Sequence, residues 1–316
     1  DQTSIIFISH RLWEIKSICD YVVVFRNGET IGAIDFATEE KDENLIISMI
    51  SGKDYEHAKD HAPANRPIPS EKMLEVRELM LRRTKDRMSF DIRKGEIVGL
   101  GGLQGQGQEE LLLVLSGLIQ PKRGQISIDG KQLKLRHPKN AVKEGMVLVP
   151  GDRHKEGLFL QHDVQFNLIF PQFALRKTKF FLNPGKQRAQ ADDLIQRVNI
   201  VPRDPGKVVQ FLSGGNQQKV VVGKWLPLEP KVLLLSDPAK GVDIGAKKEL
   251  YDTVRKLAEQ GTSVLLYASD HEELMDICDR VFILFEDQIV DELLPDDYSE
   301  QRFVSASLRS DKAASH

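Results

Sequence analysis

The sequence predicts an α/β fold with a mostly parallel central sheet, an antiparallel β subdomain and an inserted helical subdomain, and three observations carry that expectation. Short, wholly apolar runs at Ile97 to Leu100, Met146 to Val149 and Val232 to Leu235 have the composition of parallel strands covered on both faces. Helical patterns alternate with these runs, as crossover units require. The first run feeds a glycine-rich loop that opens a helix, the context of a phosphate-binding loop.

Taken in order, residues 3 to 31 predict a strand at the apolar run Ile5 to Ile8, a helical segment around Leu12 to Ile18, and a strand pair from the second apolar run, Val22 to Phe25, through the turn Arg26-Asn27-Gly28-Glu29, which fits a hairpin. The same plan returns without a gap at residues 262 to 290, at an offset of 259 (262 minus 3). Thr3-Ser4 matches Thr262-Ser263, Glu14 matches Glu273, Ile18-Cys19-Asp20 matches Ile277-Cys278-Asp279, and Val22 matches Val281. Two copies of one domain are expected, with residues 1–52 as the closing part of the first.

Residues 53–72 carry Pro63, Pro67 and Pro69 among polar side chains and predict a linker. The second copy is expected over 73–299. Strand-like segments at Leu74 to Leu81 and Met88 to Ile92 lead to the strand at Ile97; the helix Glu109 to Leu118, the alternating strand Gln125 to Ile128 and the strand Met146 to Val149 follow. From about 158 to 225 the pattern is mainly helical, with Gln187 to Val198 the clearest helix. After Val232 to Leu235, Asp243 to Gln260 predicts a helix and the repeated unit closes the domain; residues 300–316 predict a polar, frayed tail.

At 316 residues the chain has room for about two domains, on a prior of roughly 150 residues each, and a 41% hydrophobic content suffices for packed cores. A net charge of −3, from 44 basic and 47 acidic residues spread along the chain, gives no electrostatic reason to expect nucleic acid. No apolar run approaches the roughly 18 residues that span a bilayer. Cys19 and Cys278 lack metal-ligand spacing and predict two small core residues, in a reducing compartment.

The organising stretch is Leu212-Ser213-Gly214-Gly215-Asn216-Gln217-Gln218-Lys219, followed by Val220 to Val222. Ser213 is a good N-cap, the glycines let a ligand approach the backbone, and the free N–H groups of such a terminus bind anions, phosphate above all. This octapeptide resembles the signature motif of ATP-binding cassette (ABC) proteins, in the form found in importers of the ribose and galactose type. In that family the signature serves a nucleotide held on the opposite half of an ATPase pair.

The resemblance covers nearly the whole chain and implies a P-loop ATPase cassette, with ATP and magnesium as its ligands. Against the family pattern, the loop Gly102, Gly105, Gly107 keeps the glycine spacing, but Gln108 and Glu109 stand where lysine and serine or threonine belong. Glutamine brings no charge to the phosphates and glutamate brings the wrong sign, a like-charge contact worth roughly 4 kcal/mol at about 4 Å and moderate dielectric. Ser236-Asp237-Pro238 replaces Asp-Glu-Pro: serine supplies no charge for a metal, so no metal ligand is expected, and Asp237 is a methylene shorter than the glutamate that polarises water. The switch histidine corresponds to His10 in the first copy and Ser269 in the second, with His271 expected at the surface.

What is retained is the signature, together with Gly241 and Asp243, which resemble the D-loop that crosses to the partner site. The residues that act within the cassette have decayed, and those that act across a pair have not. The resemblance therefore implies that Ser213 and His10 converge on one γ phosphate, at a site completed by the P-loop of another cassette. It further implies membrane permease subunits engaged through Gly151, Asp152, Arg153 and the helical subdomain, an extracytoplasmic solute-binding protein engaged indirectly, and a peripheral location on the cytoplasmic face of the membrane. Rival classes are a tandem cassette outside transport and an interaction module without nucleotide.

Overall fold

The computed structural model describes residues 4–8, 15, 17–26, 29–36, 46, 49, 69–175 and 184–308. The chain divides into two compact units: residues 1–61 with Val242–Glu249, and residues 62–241 with 250–316.

In the larger unit, three continuous apolar runs form strands hidden on both faces: β5 (Ile97–Gly101), β9 (Val232–Ser236) and β10 (Ser263–Tyr267). With β8 (Met146–Val149), β11 (Arg280–Phe285) and β12 (Gln288–Leu293) they make a six-stranded sheet in the order β12-β11-β5-β10-β9-β8. Every pairing is parallel except the β11–β12 hairpin at one edge. A second sheet is antiparallel, β4 (Met88–Arg93), β3 (Lys72–Met80), β6 (Arg123–Ile128) and β7 (Lys131–Gln132), and β4 alternates buried and exposed residues as a one-sided sheet must.

The helices are α1 (Gln108–Leu115), α2 (Pro138–Lys143), α3 (Val164–Leu175), α4 (Pro184–Arg197), α5 (Gly214–Gly223), α6 (Ile244–Glu259), α7 (His271–Ile277) and α8 (Glu300–Leu308). Helices α3, α4 and α5 form the expected insertion. Leu168 and Ile169 of α3, Leu194 and Ile195 of α4, and Val220 to Val222 of α5 share a core with Val147, Leu233 and Leu266 of the sheet. The opposite face of the sheet, with Leu100, Leu234 and Leu265, packs against α1 and the antiparallel sheet. No described helix is long and apolar enough to cross a membrane.

In the smaller unit, β1 (Tyr21–Arg26) and β2 (Glu29–Asp35) pair antiparallel around Val22, Val24 and Ile34. Their register equals that of β11 and β12 pair for pair: Val22↔Ile34 and Val24↔Gly32 correspond to Val281↔Leu293 and Ile283↔Asp291. The irregularity falls at the same step in both, Val24/Phe25 and Ile283/Leu284. The two hairpins thus share one register and one irregularity.

Three expectations are corrected. Residues 4–8 form no strand, and Ile5, Ile6 and Ile8 are 82%, 93% and 92% exposed. Their counterparts in β10 are held between β5 and β9, whereas no described strand flanks residues 4–8, and an unpaired apolar run has no ladder to hold it. The tail begins as a helix: α8 buries Phe303 and Ala306, and Phe303 lies against Gly101 and the ring of His271. His271 is accordingly half-buried and not a surface residue. Residues 309–316 and most of the expected linker, 53–68, lie outside the described residues. Cys278 is fully buried, which pushes its thiol pKa up, and Cys19 is half-buried against the smaller core.

Candidate functional site: a signature turn and a closed phosphate loop

The glycine-rich loop joins β5 to α1 as expected, with Gly102, Gly105 and Gly107 at φ of 112°, 84° and 107°. Gly102 is obligatory for a second reason, since a Cβ there would stand 2.3 Å from the carbonyl oxygen of Leu284. Gln108 is buried, and its amide Nε2 donates to the carbonyls of Gly101 (3.2 Å) and Leu103 (3.0 Å). The side chain in the lysine position is thus turned back onto the loop and satisfied there. Glu109 is exposed in the first turn of α1, and Glu110 accepts from the backbone N–H of Arg82 at 2.7 Å.

One further carboxylate approaches this loop. Asp287, in the β11–β12 turn, places Oδ1 2.6 Å from where a Cβ on Gly107 would lie, and its pKa is raised by burial and by Glu110, against a lowering from Arg83. Asp237 follows β9 with a left-handed φ of 45° and is buried; its Oδ1 accepts from the backbone N–H of Ser269 at 3.3 Å. The Tyr267 hydroxyl is pushed up to about 12, first by burial and then by the negative charges of Glu109 and Asp237. Negative field and a self-satisfied Gln108 do not fit a nucleoside triphosphate at this loop. Ser236 lies beside Gly151, and among the described residues no cluster of three or more His, Cys, Asp or Glu could hold a metal.

The signature presents the opposite picture. Leu212 is buried as an anchor, and Ser213 caps α5 from an extended conformation, its Oγ accepting from the Asn216 backbone N–H (3.5 Å) and from Asn216 Nδ2 (2.9 Å). Asn216 Oδ1 in turn accepts from the N–H of Val201 at 2.8 Å. Ser213 remains exposed, Gly214 partly so, and the first N–H groups of the helix have no partner within it. A capped, accessible helix start with paired glycines can receive an anion.

Beside it, Arg153 turns inward from the loop after β8. Its Nη2 lies 2.8 Å from where a Cβ on Gly214 would stand, Nη1 donates to the Lys240 carbonyl at 2.9 Å, and Nε donates to Gln217 Oε1 at 3.3 Å. Gly241, with φ of 66°, follows Lys240, and its carbonyl also approaches Gly214. Asp243 caps α6, its Oδ1 accepting from the N–H of Ala246 at 2.9 Å. Asp152 caps the π-helical turn Arg153–Gly157, accepting from the N–H groups of His154 and Lys155 at 3.1 Å each, and these bonds with Lys155 hold its carboxyl below the usual range. That turn, α2 and α3 enclose a groove of about 440 Å³ lined by Val142, Phe170, Pro171, Leu175 and Trp225.

The structure therefore brings Arg153, Gly214, Gln217 and Gly241 together, and separately gathers Gly102, Gln108 and Glu109, while Asp237 lies against Ser269 and Tyr267. His10 lies outside the described residues. Sequence reasoning missed the roles of His154, Lys224, Lys240 and Asp287. The polar run Asp152-Arg153-His154 directly after a buried strand was the one signal available for the first of them.

Comparison with known proteins agrees with this fold. The sequence model of the ABC transporter family matches residues 85–240. The chain is 39% identical over 307 residues to a ribose import ATP-binding protein, RbsA 1, of Rhizobium etli, covering 96% of this chain and 59% of that protein. It is 36% identical over 286 residues to the ribose import ATP-binding protein RbsA of Geobacillus kaustophilus, covering 90% of this chain and 57% of that protein. The chain thus spans less than two thirds of the length of these curated relatives. Among solved structures, an ATP-binding cassette of an ABC transporter in its ADP conformation superposes with a TM-score of 0.64 at 17% identity, over 78% of this chain and 98% of that one. By fold the chain is an α/β ATP-binding cassette, and its residues 85–240 match the ABC transporter family model.

Proposed function

We propose that this chain is an energy-coupling part of an importer for ribose or a similar small polar sugar, and that it supplies its signature turn to a nucleotide held by another cassette. The observation that carries the proposal is the contrast within one domain: Ser213 caps the start of α5 and stays exposed, whereas Gln108 closes the chain's own phosphate loop. The ribose-import names of the relatives favour the sugar class, and the register shared by the two hairpins favours two copies of one cassette, 1–52 closing the first and 73–299 forming the second.

In that arrangement Leu212 to Gln217 would meet the γ phosphate of ATP from the side opposite the phosphate loop, with magnesium held by the other cassette. Ser213 would position a phosphate oxygen, and His10 would serve the same site. Permease subunits would seat in the groove beside the π-helical turn, whose wall is formed by Lys155, Glu156 and Gly157. Gly151 and Asp152 lead into that wall, while Arg153 faces the signature. The solute-binding protein would act through the permease.

Two measurements test this. The chain alone, with magnesium and ATP, is expected to release phosphate no faster than background; turnover by the isolated chain would contradict the closed loop. Restoring the loop with Gln108→Lys and Glu109→Thr adds one positive charge and removes one negative charge at the phosphates. By calorimetry the double variant is expected to bind magnesium ATP at least about tenfold more tightly than the wild-type chain. Equal affinity would place the defect elsewhere than at these two side chains.

A further inference from the structure

We propose that Asp287, in the turn between β11 and β12, is a further residue that keeps anions out of this chain's phosphate loop, by holding a buried carboxylate against the loop's last glycine. It rests on the reading of that loop as closed to nucleotide, and adds to Gln108 and Glu109 a determinant that lies outside the loop.

The hairpin borders the loop from end to end. At the first glycine, the Leu284 carbonyl oxygen stands 2.3 Å from the Cβ position of Gly102; at the last, Asp287 Oδ1 stands 2.6 Å from that of Gly107. Between them Gln106 takes both N–H groups of the turn, its carbonyl accepting from Asp287 at 3.0 Å and its Oε1 from Glu286 at 2.6 Å. Two bonds to one loop residue fix where the carboxylate sits. Asp287 is 9% exposed, and among the described residues its carboxylate accepts no hydrogen bond. Burial and the charge of Glu110 on α1 push its pKa up, while Arg83 in the β3–β4 loop acts the other way. A buried carboxylate is ordinarily kept by the bonds it makes. This one makes none and lies against the loop instead.

The backbone gives a second, independent sign. Glu286 and Asp287 have left-handed φ of 48° and 63°, as in the two-residue hairpin turns that favour asparagine and glycine. The offset of 259 sets Asn27 and Gly28 at these positions in the sequence of the β1–β2 hairpin, and the flanking pairs agree, Arg26↔Glu29 with Phe285↔Gln288. Asp287 therefore stands where the other hairpin carries glycine, in a conformation that a Cβ opposes. Strain retained at such a place points to a use for the side chain and not for the turn. An anion entering the loop would meet this charge as well as that of Glu109, and repulsion of this kind acts across several ångströms without contact.

The test is calorimetry of magnesium ATP, at low salt and neutral pH, on the Gln108→Lys, Glu109→Thr chain with Asp287 kept, with Asp287→Asn and with Asp287→Gly. Asparagine keeps the shape and removes the charge, and both replacements suit a left-handed turn, so neither threatens the fold. One unit charge at about 10 Å and an effective dielectric near 20 is worth about tenfold in affinity. Both replacements are expected to tighten binding by at least about that factor. Glu286→Gln removes an exposed charge one residue away and is expected to tighten it by less than about threefold. The proposal is overturned if Asp287→Asn binds no better than the chain with Asp287, if Glu286→Gln gives the same gain, if glycine alone gives a gain, or if none of these chains binds. Phosphate release by the wild-type chain would contradict the closed-loop reading and leave the comparison of Asp287 with asparagine intact. Equal binding by those two chains, with no such release, overturns this proposal alone.

Discussion

Ser213→Arg in the full-length protein is expected to lower ATP turnover by at least about a hundredfold, to the background of a phosphate-release assay. Two losses combine. The cap on α5 disappears, since Ser213 Oγ is the acceptor for the Asn216 N–H and amide, and a lost N-cap costs about 1 kcal/mol. The larger effect is electrostatic and steric: a second guanidinium would enter beside Gly214, against which Arg153 Nη2 already stands at 2.8 Å from the Cβ position. Two like charges at a helix start also oppose its dipole, so the new side chain must either displace Arg153 or occupy the space in which the proposed phosphate would lie. Ser213→Ala separates the terms, because it removes only the cap and is expected to cost far less than the arginine. Turnover by Ser213→Arg at the wild-type rate would remove the signature from the reaction and with it the proposed action on another cassette. Equal losses for both variants would reassign the effect to helix stability.

The parts of this site that the sequence reveals are those whose chemistry is local. The wholly apolar runs at Ile97, Met146 and Val232 became parallel strands of the central sheet because a strand covered on both faces has no polar face to advertise. Ser213 was recognisable as a cap from its neighbours alone, and Gln108 and Glu109 as misfits from charge alone. The equal register of the two hairpins was implicit in the offset of 259, although the bulge at Val24/Phe25 leaves no mark in the residue types. What stayed hidden depends on distance along the chain. Arg153 meets Gln217 across 64 residues and Lys240 across 87, and nothing in either neighbourhood specifies those partners. The helix at 300–308 was missed because it shows few apolar residues, yet Phe303 and Ala306, three apart, suffice once Gly101 offers a flat place for the Phe303 ring. Ile5 to Ile8 failed in the other direction: strand-forming side chains do not make a strand where no described neighbour supplies the ladder.

Replacing Arg280 by methionine is expected to destabilise the larger unit by about 3–5 kcal/mol, the cost of stranding a buried charge. Glu96 is the charge at stake. Its side chain is 2% exposed, and both its oxygens are engaged by Arg280, Oε1 with Nε at 2.7 Å and Oε2 with Nη2 at 3.1 Å, while Oε2 also accepts from the Arg93 N–H at 2.6 Å. Arg280 further donates to the Asp91 carbonyl at 2.7 Å and to Glu292 at 3.0 Å, and its guanidinium lies 4.9 Å from the centre of the Phe282 ring. One side chain thus joins β4 of the antiparallel sheet to β5, β11 and β12 of the central one. Burial opposes its charge, but the bonds and charges of Glu96 and Glu292 outweigh burial and raise the guanidinium pKa further. A raised pKa means that this stabilisation is complete below the ordinary arginine value and lost only above the folded one, so it should not vary across neutral pH. A loss of this size is a large part of the roughly 5–15 kcal/mol that separates folded from unfolded domains, and urea unfolding will show it as a lowered midpoint. The decisive measurement is the cycle with Glu96→Gln. If stranded charge is the cause, the double variant Glu96→Gln with Arg280→Met recovers most of the stability lost by Arg280→Met alone; if the two losses simply add, the arginine acts through its packing on Phe282 and its bond to Asp91 instead.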